Sequence, residues 1–345
     1  MSQPATKLPL PVPLMPRVGV VGAGAMASAH LAAWRELGVS TRIYSTGSRA
    51  AVVGSRYGAP VCRDLAELLS CSDVVDVCTP TPSHPEMVAA AARAGRHVIC
   101  EKPLALTHQE AATMVRVCRE AGVRLYPGQV VRYFPRYAAA KAAVDAGALG
   151  VVRELRLSRR GAVPVQEWFS DESRSGGVVV DLSIHDFDFA RWVAGEVGSV
   201  TAEVVHGPAG TVRAQVVLRH VGGAASRVTG EWGVAGTVFA TSFVVVGDLA
   251  ELTDHCVLPS EPGFGAEPGA DGADGADGAD GADGADGADG ADGSPYVTEL
   301  RELAVAIAGG PAPRVTAADG VAALDIALAA LESARTGEPV RLPAG

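Results

Sequence analysis

The six cysteines, at positions 62, 71, 78, 100, 118 and 256, include no C-x-x-C pair and no clustered Cys/His ligand set. That argues against a disulfide framework and a zinc site, and suits reduced core thiols in a cytoplasmic protein. No metal is expected. No apolar run approaches the ~20 residues of a membrane span, so no membrane partner is expected either. No basic patch marks a nucleic-acid surface. The opening stretch, residues 1–16, holds one lysine and four prolines in its first thirteen positions, where a signal peptide needs an apolar core. It reads as a flexible leader.

A single-signed charge is also missing once its source is found. The formal net charge is −10, but residues 269–292 are eight Gly-Ala-Asp triplets, and without their eight aspartates the chain stands at −2. Glycine every third residue without proline is not a collagen pattern. The triplets also lack the apolar position and terminal glutamate of a calcium loop. Small residues with like charges bury no core, so 262–294 reads as a disordered, self-repelling insertion.

What remains of the 345 residues is enough for two domains. Short apolar runs and amphipathic helical stretches alternate up to about residue 128. That rhythm predicts an α/β fold, a doubly wound Rossmann domain with a parallel sheet over 17–128. Beyond it, a long helix near 178–194 precedes β-rich runs near 200–206, 211–220, 224–232 and 237–246. Two helices follow the insertion. An α+β domain with a mostly antiparallel open sheet is predicted over 129–261 and 295–345.

Between the first strand and first helix stands Gly22-x-Gly24-x-x-Ala27. Gly22 permits the turn, Gly24 lets backbone approach a pyrophosphate, and Ala27 permits close helix packing. The first-turn amides around Ala25 and Met26 are placed to bind phosphate. The acid that usually ends the second strand and holds a ribose 2′-hydroxyl is absent. Ser45 and Thr46 occupy its place and Arg49 follows, a set suited to a 2′-phosphate. NADP is the preferred cofactor on this reading, with NAD as the alternative.

"EKP" at 101–103 ends a buried strand, where ligands of such sheets lie. "GVVGAGAMASAH", "CTPTPSH", "EKPLALT" and "SGGVVVDLSIHDFDFARWVAG" together resemble the Gfo/Idh/MocA oxidoreductases. The resemblance spans nearly the whole chain apart from leader and triplets. It implies that Lys102 lies beside the nicotinamide before a cis Pro103, and that Thr79, Pro80, His84 and Glu101 line the cofactor. His84 also reads as a residue that caps or packs, and Glu101 as a strand-end cap. It further implies a D-x-x-x-H pair, Asp181 and His185, which the helical period puts on one face with Asp188 a turn on. His185 is then the acid/base, Lys102 polarises the reacting oxygen, and Asp181 orients or binds. Arg132 and Trp168 fall at positions implied to border the substrate, with an ion pair and simple packing as their alternatives.

The function implied is hydride transfer between a nicotinamide and a carbinol or keto carbon of a sugar, polyol, cyclitol or sugar derivative. A glycoside-cleaving enzyme using transient oxidation, and a non-catalytic cofactor-binding regulator, are the alternatives. Retention of Lys102, Asp181 and His185 together weighs against the regulator. A homo-oligomer formed through the second sheet is also expected.

Overall fold

The computed structural model describes residues 15–163, 167–257 and 294–343. The first fourteen residues of the leader and the triplet insertion lie outside them. The chain opens with β1 (Val18–Val21), α1 (Ala25–Glu36), β2 (Thr41–Tyr44), α2 (Arg49–Tyr57) and α3 (Leu65–Cys71). It continues with β3 (Val74–Val77), α4 (His84–Arg93), β4 (His97–Glu101), α5 (His108–Glu120) and β5 (Leu125–Gly128). The five strands form one parallel sheet in the order β2-β1-β3-β4-β5. All four residues of β1 and of β3 are buried, as helices on both faces of a sheet require. Helix starts follow their caps. Thr107 accepts the amide of Glu110 at the head of α5, which buries Ala111, Met114 and Cys118 at the three- and four-residue spacing of one helical face.

The second half contains α6 (Pro135–Asp145), β6 (Val152–Ala162), α7 (Glu167–Ser170), α8 (Glu172–Ser175), a π-helical turn (Val178–Leu182) and α9 (Ile184–Ala194). Then come β7 (Val197–His206), β8 (Val212–His220), β9 (Ala225–Gly233), β10 (Ala240–Gly247) and β11 (Glu251–Val257). After the insertion follow α10 (Pro295–Ile307), α11 (Ala317–Thr336) and β12 (Val340–Arg341). The sheet order is β11-β10-β6-β9-β8-β7-β12. Only the β6–β9 pairing is parallel, so the sheet is mostly antiparallel as expected. One face is buried under α9 and α11, whereas the other is charged, with Arg156 and Arg227 both paired to Glu154.

β6, β11 and α6 were not anticipated, and the long helix predicted over 178–194 is interrupted. It begins as the π-helical turn and becomes regular only from Ile184. The helices beyond the insertion do not pack on the second sheet alone. α10 lies against α1, and α11 touches α5 and β5 as well as α9 and β7.

Candidate active site

The site is built at the carboxyl ends of β1, β3 and β4. Gly22 has φ +112°, and a Cβ there would fall 2.3 Å from the Cys78 carbonyl oxygen, so only glycine lets the first turn pass the end of β3. Gly24 is the residue before α1, and no side chain caps that helix. Its first-turn amides, from Ala25, Met26 and Ala27, therefore face the loop without a competing side chain, which fits a bound pyrophosphate. At the end of β2, Thr46 and Arg49 are exposed and Ser45 half-buried, and no carboxylate stands among them.

The Lys102–Pro103 bond is cis. Lys102 is buried, and its ammonium donates to Asp181 through both the backbone oxygen at 3.1 Å and Oδ1 at 3.2 Å. Asp181 lies in the π-helical turn and His185 in the first turn of α9, both buried. The end of β4 and the entrance to α9 thus meet through one charge-assisted contact across 79 residues of chain.

Glu101 does not turn toward the cofactor side. Its Oε1 lies 3.0 Å from His30 Nε2 and its Oε2 accepts the Lys102 amide at 3.1 Å. Gly128 on β5 makes room for it, since a Cβ there would sit 2.9 Å from that carboxylate. Glu101 is therefore an internal anchor of the turn, closer to the strand-end cap than to a cofactor ligand.

His30, buried in α1, is the other half of that anchor. Its Nδ1 lies 3.0 Å from both oxygens of Asp76, and Trp34 donates to the same carboxylate at 2.8 Å. Burial opposes charge on the ring, but Asp76 and Cys78 outweigh it and hold the imidazole well above its ordinary pKa. His30, Asp76 and Cys78 are close enough to hold a metal ion. A protonated ring, with Nδ1 on Asp76 and Nε2 facing Glu101 at 3.0 Å, has no lone pair to give one. Glu299 of α10 is fully buried beside this group, and neither carboxyl oxygen has a hydrogen-bond partner among the described residues. Burial and the field of Glu101 push its pKa well above the usual carboxylate range.

His84 also reaches the turn. Nδ1 is 2.9 Å from the Pro103 carbonyl oxygen and Nε2 is 2.7 Å from that of Thr79. Both ring nitrogens are thus spent on loop backbone, the packing role rather than a cofactor contact. Thr79 and Pro80 sit half-buried at the end of β3.

Of the two readings of Arg132, substrate border or ion pair, the structure shows the ion pair. The guanidinium forms a two-pronged pair with Asp188 at 2.7 and 2.6 Å, approaches Asp319 at 3.2 Å and donates to the Arg314 carbonyl. Asp188 accordingly belongs to this ion pair and not to the stripe of Asp181 and His185. Trp168 is buried and stacks on Phe169 at 3.9 Å, which in turn meets Trp232 edge-on. Its indole N–H has no hydrogen-bond partner among the described residues.

Residues 16–129 match the oxidoreductase family with an NAD-binding Rossmann fold, and residues 137–253 match the GFO/IDH/MocA C-terminal domain. The scyllo-inositol 2-dehydrogenase (NAD(+)) of Bacillus subtilis is 30% identical over 286 residues, 78% of each chain. D-apiose dehydrogenase of Paraburkholderia graminis is 34% identical over 221 residues, 61% of this chain and 58% of its own. The chain spans about half the length of several such relatives. The crystal structure of GenD2 from gentamicin A biosynthesis, in complex with NAD, superposes with a TM-score of 0.81 at 26% identity, over 98% of this chain and all of that one. The chain belongs to the GFO/IDH/MocA oxidoreductase family.

Proposed function

We propose that the protein moves hydride between a nicotinamide cofactor and a carbinol or keto carbon of a sugar, polyol, cyclitol or sugar derivative. The observation that carries this is the buried contact of Lys102 with Asp181, which joins the cofactor end of the first sheet to the helix bearing His185. Bound nicotinamide supplies the hydride acceptor or donor. The chain's own groups handle the proton and the oxygen. His185 takes the hydroxyl proton in oxidation and returns it in reduction. Lys102, oriented by Asp181, donates a hydrogen bond to the oxygen as its charge changes. Hydroxyls and an exposed guanidinium at Ser45, Thr46 and Arg49 support NADP over NAD. The inositol and apiose dehydrogenases among the relatives support the substrate class. Pairing of two copies through the second sheet is part of the same proposal, with the charged face favouring ion pairs over an apolar seam.

The test is a panel of polyols, inositols, aldoses and nucleotide-linked keto-sugars, followed by nicotinamide absorbance with each cofactor. Net cofactor turnover is expected with at least one class, and a cofactor that cycles without net change would point to the glycoside-cleaving alternative. Lys102→Ala and His185→Ala should each lower kcat by ~10²-fold or more, the usual contribution of a positioned acid–base group. Parental kcat in both variants would leave the family but remove the mechanism.

A further inference from the structure

Lys102 stands on a turn whose two sides are held by different buried histidines. On the side before it, Glu101 lies between His30 Nε2, 3.0 Å away, and the Lys102 amide, and Asp76 on the other ring nitrogen favours the charged form of that histidine. On the side after it, His84 spans from the Pro103 carbonyl to the Thr79 carbonyl, at 2.9 and 2.7 Å. Carbonyl oxygens only accept hydrogen bonds, and a neutral imidazole has a single N–H. A neutral ring therefore donates to one of these oxygens and sets a lone pair against the other. Only the imidazolium donates to both.

We propose that His84 is a positioning residue: doubly protonated, it ties the end of β3 to the Lys102 turn and holds the lysine opposite Asp181, and on losing a proton it releases one of the two loops. The proposal rests on the oxidoreductase reading of the same site. His84 is 1% exposed, so water cannot readily replace the lost bond from the ring's own side.

The surroundings set the direction of the switch. Burial pulls the ring's pKa below its ordinary value, while the carbonyls of Thr79 and Pro103 and the charge of Glu101 pull it up. Neighbouring elements also carry Glu86 and Arg93 on its own helix, Asp76 on β3, His97 on β4 and Lys102 before Pro103. Further groups are His108, Glu110, Arg116, Arg119 and Glu120 on α5, and Glu172 and Arg174 on α8, which packs against residues 81–83. Among the charged side chains, Glu101 is the one whose field acts on the ring. The two-ended tie is thus present at acid pH and lost as pH rises through a value below about 6.5.

The test labels the histidines of the full chain with ¹⁵N and uses His84→Gln to assign the His84 nitrogens. Between about pH 5 and about pH 8 they should pass from two protonated nitrogens to one. Turnover is read over the same range with a panel substrate. His84→Asn, which donates from a single atom, should hold kcat at the parent's high-pH level throughout, up to about tenfold below the parent at acid pH, short of the ~10²-fold cost of a 1 Å misplacement. The cofactor KM should move much less. A proton count on His84 that never changes across the range, or pH profiles of kcat that coincide in parent and His84→Asn, would overturn the proposal. If no panel substrate reacts, the oxidoreductase reading fails, and the nitrogen titration still decides the two-ended tie.

Discussion

Among single residues, Glu299 was the least visible in the sequence. "YVTELRELAVAIAG" reads as a helix, and nothing local reveals that it packs on α1 with Glu299 buried. Buried beside Glu101, the carboxyl resists ionisation, and its pKa is raised. An acid with a raised folded pKa binds more protons folded than unfolded. Stability therefore falls as pH climbs from its unfolded value, about 4.3, toward the folded one. His30 acts in the same direction: its raised pKa gives stability that is full below about 6.5 and lost as pH rises through the folded value. We expect urea midpoints of the parent to fall between about pH 5 and about pH 9, and those of Glu299→Gln to fall less. Parallel curves would show that Glu299 carries no proton into the neutral range. Gly22 and the Glu101-Lys102-Pro103 turn were legible because each stands at a strand end, whereas Asp181 and His185 came from the resemblance. Arg132 was left between a substrate contact and an ion pair because a motif position says nothing of partners 56 residues away, such as Asp188.

At the scale of elements, the first sheet was readable because strand and helix alternate with short links and its central strands are largely apolar on both faces. The second sheet was readable only in part. β6 alternates as "VRELRLSRRGA", but its inward position 159 is an arginine, buried against Asp186, and that charge breaks the apolar period. β11 lies at the sheet edge with no buried residue, so no pattern marks it. The turn from β2 to α2 carries the cofactor prediction. With hydroxyls and Arg49 at its rim, the protein should bind NADPH more tightly than NADH, as read by quenching of protein fluorescence. Ser45→Asp places a carboxylate where the 2′-phosphate would lie and should reverse the order. Equal affinities in the parent, unmoved by Arg49→Ala, would remove the case for NADP.

In the whole molecule, the meeting of Lys102 with Asp181 is a property of topology that no local pattern states; the resemblance carried it. The triplets between β11 and α10 offer nothing to bury, and the cost of closing a loop varies slowly with its length, by about 0.6 kcal/mol per doubling. Replacing them with a short Gly/Ser link should leave kcat and the melting temperature nearly unchanged, and a large loss of either would show that the segment packs or binds. The helices beyond them are another matter. α10 buries Tyr296, Val297, Leu300 and Leu303 and packs on α1, and α11 buries Leu324, Ile326 and Ala327 and packs on β7, α9, α5 and β5. Truncating one such leucine to alanine typically costs about 2–5 kcal/mol. Continuity of the polypeptide at the insertion is then dispensable while the helices themselves are not. Produced as two separate chains, 1–261 and 294–345, the halves have the means to find each other and rebuild one enzyme.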